Sequence, residues 1–408
     1  MKKGLEVHTS GRENIVRKER KKLNNFDFCV PTEIIFGKKS VNKLKLVIER
    51  YGHNVLFVYG GGSIKENGIY QDIMEELGGV SVVELSGVQS NPDIDKVREG
   101  VEAARASKVD VILAAGGGSV IDSAKLIAAG YYYDDDLWDL VLSPGDIKEA
   151  LPVVAFVTVA GTGSEMNGSI VITNEETKEK LGATSPFMQP KVALIDPEYT
   201  YSVSARQTAL GIADIMSHAI EYYFTKDEDT YIQNGFAEQI MKTCIKYAEC
   251  TLNEPENYEA RANLLLASTL AQNGILGCGK RTTWACHPME HELSVNYNIA
   301  HGEGMAILLP RWMQYIVNDK TLPKFVSYAK NVWNLADSED QYSMASKAIA
   351  CTKEFFEKCG IFSTLQELGI DDSHFEEMAK SAVRNGYLMF AYVPLKAEDV
   401  VNIYNMCL

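Results

Sequence analysis

VDVILAAGGGSVIDSAKLIAAG, Val109 to Gly130, decides the fold. Val109–Ala115 is, apart from Asp110, an apolar run without alternation, long enough for a strand and too short for a helix. Three glycines and a serine, Gly116-Gly117-Gly118-Ser119, interrupt it, and Val120–Ala129 resumes with helical character. A strand apolar on both faces and followed at once by a helix belongs to a parallel sheet covered on both sides. The unit recurs on either side. NVLFVYGGGS, Asn54 to Ser63, is a buried strand stopped by three glycines, and helical periodicity follows over Ile69–Leu77. Pro31–Gly37 and Ser81–Leu85 read as strands, Lys43–Arg50 and Ile94–Ser107 as helices. LPVVAFVTVAGTGSE, Leu151 to Glu165, is a further buried strand ending in small residues. GSIVITNEETKEKLGATS, Gly168 to Ser185, reads as a hairpin turning at Asn174–Thr177.

Beyond Asp196-Pro197 the pattern changes. Long amphipathic stretches predict helices over Ser204–Phe224, Thr230–Glu249, Asn257–Leu276, Ala285–Tyr297, Gly304–Val317 and Ser343–Cys359, with more to Leu408. The fold class expected is therefore an α/β N-terminal dinucleotide-binding domain over residues 25–195, a parallel sheet with helices on both faces. An all-helical C-terminal metal-binding domain follows over residues 196–408. Residues 1–24 are polar and end in a basic run, Arg17 to Lys22; they read as a disordered extension or a cloning remnant outside the fold.

Bulk properties limit the partners. A net charge of −15 argues against nucleic acid or an anionic membrane surface. No apolar run reaches the length of a membrane span. The eight cysteines show no CxxC spacing and read as reduced thiols of a cytoplasmic protein.

The glycine loops fit phosphate chemistry. Glycines let backbone approach a ligand closely, and a helix start presents free N–H groups with partial positive charge. The same glycines also suit a tight strand–helix turn capped by Ser119. At the first loop, Gly60, Gly61, Gly62 and Ser63, no carboxylate lies between Val55 and Lys65 to hold a ribose 2′-OH. Ser63 and Lys65 suit a 2′-phosphate instead, which tilts the expected cofactor to NADP(H).

Three of the seven histidines fall within WACHPMEHELSVNYNIAH, Trp284 to His301. His287 and His291 are four apart, as are Asp214 and His218 in GIADIMSHAIEYY, so each pair shares a helix face. Oxygen and nitrogen donors without a compelling thiolate suit one divalent metal such as Fe(II) or Zn(II). Asp214, His218 and His287 take three positions. His291 and His301 compete for the fourth; His301 is taken as the ligand and His291 as a polar relay beside it.

Together, GGGSVIDSAK, AGTGSE, the Asp-x3-His pair and the His-x3-His…His run in WACHPMEHELSVNYNIAHGEGMAILLP resemble the iron-dependent, group III alcohol dehydrogenases. YGGGSIKENG and the WACHP–HEL context are most similar to the NADPH-dependent butanol dehydrogenase branch. The resemblance covers nearly everything from Asn25 onward. It implies a dinucleotide-binding domain and a helical domain with the active site between them. It also implies metal ligands at Asp214, His218, His287 and His301, with His291 near the substrate. The pyrophosphate would lie on Gly116, Gly117, Gly118 and Ser119, with Thr158, Thr162 and Ser164 lining the cofactor and Lys180 near the nicotinamide ribose. It further implies a homodimer and a small-molecule alcohol or aldehyde as substrate. AGTGSE can equally cap a helix through Thr162 or Ser164, and Lys180 can be one hairpin charge among several.

The mechanism expected is Lewis-acid polarisation of an aldehyde oxygen with hydride arriving from NADPH, favouring aldehyde reduction, and a proton delivered through water, ribose or His291. Competing readings are a nicotinamide- and metal-dependent lyase or cyclase of the dehydroquinate synthase type, a metallohydrolase, and a non-catalytic metal-binding protein. The first would need several basic residues around the metal, and only Lys280 and Arg281 stand near the metal-bearing run.

Overall fold

The computed structural model describes residues 23–227 and 229–408. The reading of residues 1–24 as an extension therefore falls, up to residue 22, outside the described residues.

Six parallel strands form one sheet: β1 (Glu33–Phe36), β2 (Asn54–Tyr59), β3 (Ser81–Leu85), β4 (Val111–Gly116), β5 (Val153–Val157) and, after a hairpin of β6 (Ser169–Asn174) and β7 (Glu179–Thr184), β8 (Val192–Ile195). Their spatial order is β1-β8-β5-β4-β2-β3. In register, Tyr59 lies opposite Ala115 and Gly116 opposite Val157. The short helices α1 (Leu44–Ile48) and α2 (Ser63–Glu66) precede α3 (Ile69–Glu76), α4 (Ile94–Ala106), α5 (Gly118–Gly130) and α6 (Leu137–Leu142).

Strand residues alternate between two cores. Val55, Phe57, Val111 and Leu113 pack with Leu44, Val47 and Ile73 on one face. Leu56, Val58, Ile112 and Ala114 pack with Val97, Val101 and Ile127 on the other. Both faces are dry, so the strands show no polar alternation in sequence.

The helical half follows: α7 (Ala205–Tyr223), α8 (Tyr231–Asn253), α9 (Tyr258–Gln272), α10 (Cys286–Tyr297), α11 (His301–Ile316), α12 (Leu322–Asn331), α13 (Gln341–Lys358), α14 (Phe375–Gly386) and α15 (Ala397–Met406). The apolar face of α7, including Ile215, Ala219 and Tyr223, packs in a third core with Met289 of α10 and Met305, Leu309 and Trp312 of α11.

Several boundaries depart from expectation for identifiable reasons. The hairpin turns one residue later than predicted. Asn174 Oδ1 accepts the backbone N–H of Glu176 and of Thr177, and Lys178 takes a left-handed φ of 54°, so Asn174 ends a strand and pairs with Glu179. The helix expected over Asn257–Leu276 stops at Gln272, because Gly274 turns the chain at φ 89°. Four elements escaped sequence reading: α2, α6, β8 and α12. The four residues of β8 carry no turn signal of their own, and their strand character comes from pairing between β1 and β5.

Candidate metal and cofactor site

The chain goes from β2 to the β3 edge, then returns to place β4, β5 and β8 on the opposite side of β2. Strand order therefore reverses between β2 and β4, and the crevice beyond their carboxyl ends is where an open parallel sheet accepts a ligand. Both glycine loops stand there. At Gly118 a Cβ would sit 2.4 Å from Thr162 Cγ2, so this turn requires glycine to pack against the AGTGSE loop. The first turn of α5 carries no acidic residue, and its N-cap, Gly117, leaves the helix start without a side-chain cap. Ser119 is not the cap: its hydroxyl donates to the Ser90 carbonyl at 2.6 Å. The helix start is therefore left to face an anion.

The remaining cofactor candidates divide. Gly61, Gly62, Ser63 and Thr162 are exposed and Thr158 is half-buried at the end of β5, whose next N–H, that of Thr158, donates to Gly116 O at 3.1 Å. Ser164 is buried beneath the loop instead. Its hydroxyl donates to Asp122 and accepts from Lys125 Nζ at 2.7 Å, so it braces the loop and does not face the crevice. Lys65 lies 3.9 Å from Glu84 Oε2 and over the Tyr59 and Tyr70 rings, so it has a counter-charge that its position in sequence did not disclose.

The AGTGSE loop also meets α7. A Cβ on Gly161 would lie 3.4 Å from Asp214 Oδ2 and 3.4 Å from Gly211 Cα, and its N–H donates to Ser268 Oγ at 2.9 Å. The loop leaving the cofactor crevice thus rests directly on the carboxylate of the metal candidate set.

That set is assembled from three helices. Asp214 and His218 share one face of α7; His287 and His291 sit in α10; Asn298, left-handed at φ 51°, turns the chain so that His301 opens α11. Donor atoms of Asp214, His218 and His287 lie within 4.8 Å of one another. His301 Nε2 is 3.5 Å from Asp214 Oδ1, and His218 Nε2 is 3.4 Å from the same oxygen. Asp214 Oδ1 and His287 Nε2 are buried without a hydrogen-bond partner. Unsatisfied buried polar atoms are costly, and two aimed at one point fit a cation they would share. His291 lies with Glu290 and His301 in a second cluster, its ring 5.9 Å from that of His301.

Two carboxylates that sequence reading missed complete the arrangement. Glu221 accepts Nδ1–H of His287 and the backbone N–H groups of Ala285, Cys286 and His287 at 2.5, 2.8 and 3.2 Å, capping α10. Glu290 accepts Nδ1–H of His301 and the Ser294 hydroxyl. A carboxylate at Nδ1 fixes the tautomer and leaves the Nε2 lone pair for a metal. The signal was present in spacing: Glu221 is seven residues after Asp214 and three after His218, and Glu290 is three after His287.

Charge balance points the same way. Asp214, Glu221 and Glu290 are buried carboxylates, and the ammonium facing them is that of Lys180, 7% exposed and 3.7 Å from Glu290 Oε2. Two negative charges remain, and one divalent cation offsets them. The titration pattern agrees. Burial would raise the Asp214 carboxyl, but His218, His301 and His287 outweigh it and hold it well below its ordinary value. Burial alone would lower His301; Glu290 and Asp214 reverse this and raise it to about 9, so a positive charge is favoured where its Nε2 meets Asp214. His218 is pushed down to about 4 by burial. His291 falls well below its ordinary value through burial and the nearby Lys180 charge, so it is neutral at physiological pH.

Trp284 stands at the wall of this site, its ring edge-on to His287 at 4.5 Å and to His218 at 5.8 Å. Lys280 and Arg281 are engaged elsewhere, Lys280 with Tyr222 O and Asn234 and Arg281 with Asp227.

Comparison with known proteins gives a consistent result. Residues 31–197 match the iron-containing alcohol dehydrogenase family model, and residues 208–408 match that of the Fe-containing alcohol dehydrogenase C-terminal domain. The chain is 50% identical over 384 residues to NADH-dependent butanol dehydrogenase A of Clostridium acetobutylicum, covering 93% of this chain and 98% of that one. It is 38% identical over 370 residues to the NADPH-dependent aldehyde reductase YqhD of Escherichia coli, covering 89% and 94%. The crystal structure of NADH-dependent butanol dehydrogenase A from Thermotoga maritima superposes with a TM-score of 0.90 at 39% identity, covering 94% and 99%. The chain belongs to the iron-containing alcohol dehydrogenase family.

Proposed function

We propose that this alcohol dehydrogenase reduces primary aliphatic aldehydes with NADPH, at one divalent metal held by Asp214, His218, His287 and His301. The observation that carries the reading is that Asp214 is shared: its Oδ1 meets two imidazoles, and its Oδ2 meets the Gly161 loop that leaves the cofactor crevice. Metal and nicotinamide therefore act on the same space. Fe(II) is the proposed metal, with Zn(II) compatible with the same donors. When bound, the ion supplies Lewis acidity to the substrate oxygen and the dinucleotide supplies the hydride.

The chain's own residues do the rest. The glycine-lined start of α5 receives the pyrophosphate. Glu221 and Glu290 keep two imidazoles in the tautomer a metal needs. Trp284 shields one wall from water and gives an aliphatic chain an apolar surface. His291, neutral and near His301, is placed to pass a proton toward the product oxygen.

The preference for NADP(H) over NAD(H) is supported by Gly60–Gly62 and Ser63, where β2 ends without a carboxylate. The relatives' names divide on this point: four of those most similar are called NADH-dependent or probably so, and the aldehyde reductase YqhD is called NADPH-dependent. The deciding measurement is an aldehyde panel with NADPH and with NADH after anaerobic loading with Fe(II) or Zn(II). A higher kcat/KM for butanal with NADPH is expected; a higher value with NADH overturns the cofactor assignment, and turnover in fully demetallated protein overturns the metal. A homodimer is the proposed assembly, checked by light scattering.

A lyase of the dehydroquinate synthase type is disfavoured: Lys280 and Arg281, the basic residues beside the metal-bearing run, are committed elsewhere and so are not free to hold a phosphorylated substrate.

A further inference from the structure

Glu290 touches both halves of the site. Its side chain is fully buried; it takes Nδ1–H of His301 on one side and faces the Lys180 ammonium on the other, at 3.7 Å, with the Ser294 hydroxyl completing its shell. Lys180 belongs to β7 of the hairpin, in the cofactor half of the chain, and its Nζ also donates to Asn91 Oδ1 at 3.1 Å. Asn91 follows Ser90, the carbonyl partner of Ser119 at the second glycine loop, and its own amide donates to Asn298 Oδ1 at 3.2 Å, at the turn that delivers His301. An unbroken line of contacts thus joins the pyrophosphate loop to a metal candidate through one carboxylate. Glu221 has no such reach: its partners are His287 and the start of α10.

We infer that Glu290 is a positioning residue shared by the two ligands, setting the His301 imidazole for the metal and the Lys180 ammonium for the nicotinamide half of the dinucleotide, whereas Glu221 serves the metal alone. This rests on the functional reading above. The physical basis is simple. Buried Lys180 keeps its place because an ionised carboxylate and the Asn91 amide oxygen fix it; neutralising the carboxylate leaves a buried ammonium with one neutral partner, free to swing or to draw in water. The same change removes the charged acceptor that orients His301.

The test compares Glu290→Gln with Glu221→Gln in the full-length protein. Zn(II) affinity is read by competition with a chromophoric chelator, and NADPH affinity by fluorescence titration of demetallated protein, with no turnover involved. Both variants are expected to bind Zn(II) about 10- to 100-fold more weakly, the range typical for outer-shell carboxylates. Glu290→Gln alone is expected to weaken NADPH binding, by at least threefold. Equal NADPH affinity in wild type and Glu290→Gln, or equal loss in both variants, overturns the inference. Failure of wild type itself to bind NADPH would instead overturn the functional reading. Should Glu290→Gln fold poorly, Glu290→Gln/Lys180→Met removes the stranded ammonium: the double variant must then fold better than Glu290→Gln, and a double variant that folds no better overturns the pairing.

Discussion

The side chains in and around the site differ in what each would lose. His287 presents Nε2, buried and without a partner, because Glu221 occupies Nδ1. His287→Ala is therefore expected to cut metal affinity by more than about 100-fold, beyond the usual effect of an outer-shell partner, and to abolish turnover in parallel, as read by metal content after gel filtration. Retained stoichiometric metal would remove His287 from the ligand set. His291 stands one turn further, outside the Asp214–His218–His287 group. His291→Asn should leave metal content intact while lowering kcat about 100- to 10,000-fold, the scale of lost proton transfer; loss of metal would mean that His291 and His301 were exchanged. Glu292, next along α10, makes a pH prediction free of the metal. Burial lifts its carboxyl from an ordinary 4.5 to about 7, with Ser381 donating to it at 2.6 Å. The native state thus holds a proton between those limits that the unfolded chain has lost, and stability must fall as pH rises from about 4.5 to about 7. At pH 8 the penalty reaches at most about 3 kcal/mol, at 1.36 kcal/mol per unit. Glu292→Gln should raise the melting temperature at pH 8 and change it little at pH 5; equal shifts at both would show that the group titrates normally.

At the scale of elements, periodicity revealed what is repetitive and missed what is relational. β2 and β4 were readable because continuous Val, Leu and Ile runs ending in glycines have one good structural solution. Asp214 with His218, and His287 with His291, were readable as pairs because i, i+4 spacing on a helix is a local property. The start of α11 was read at Gly304, whereas the helix begins at His301. Glu221 and Glu290 escaped because an acidic residue on an amphipathic helix ordinarily faces water; only the packing of α7, α10 and α11 together buries them. Ser164 was misjudged for the opposite reason, since nothing local says that Lys125, inside α5, is buried and reaches it. The same packing sets a glycine requirement that the motif alone does not explain. A Cβ on Gly302 would fall 2.2 Å from the Leu210 carbonyl oxygen of α7, a backbone atom that cannot turn aside. Gly302→Ala must push the start of α11 away from α7, and with it His301 from Asp214. The expected result is a loss of about 1–3 kcal/mol in stability, the usual cost of overpacking, together with weaker metal binding. Unchanged metal affinity would mean that the α7–α11 approach does not set the site.

For the whole molecule, the decisive asymmetry is that every ligand candidate lies in the helical half, on α7, α10 and α11, while the sheet carries only the loops facing it. The sheet has two apolar cores of its own, one on each face, and no buried charge of the metal cluster belongs to it except Lys180 on the hairpin. The helical half instead closes over three carboxylates whose charge Lys180 offsets only in part. An ion that binds the folded state alone stabilises it by mass action, about 2.7 kcal/mol at a free concentration 100 times Kd. That stabilisation must fall where the ligands are. Stripping the metal with a chelator should therefore lower hydrogen-exchange protection first in α10 and at the start of α11, which Glu221 and Asp214 hold to α7 and Glu290 holds to each other. Amides of β4 and β5, paired in register from Ile112↔Val153 to Gly116↔Val157, should keep theirs. Adding Zn(II) should restore the lost protection without touching the sheet. Loss of protection spread evenly over both halves would mean that the metal holds the molecule together globally, and loss confined to the sheet would place the ion outside the three-helix site altogether.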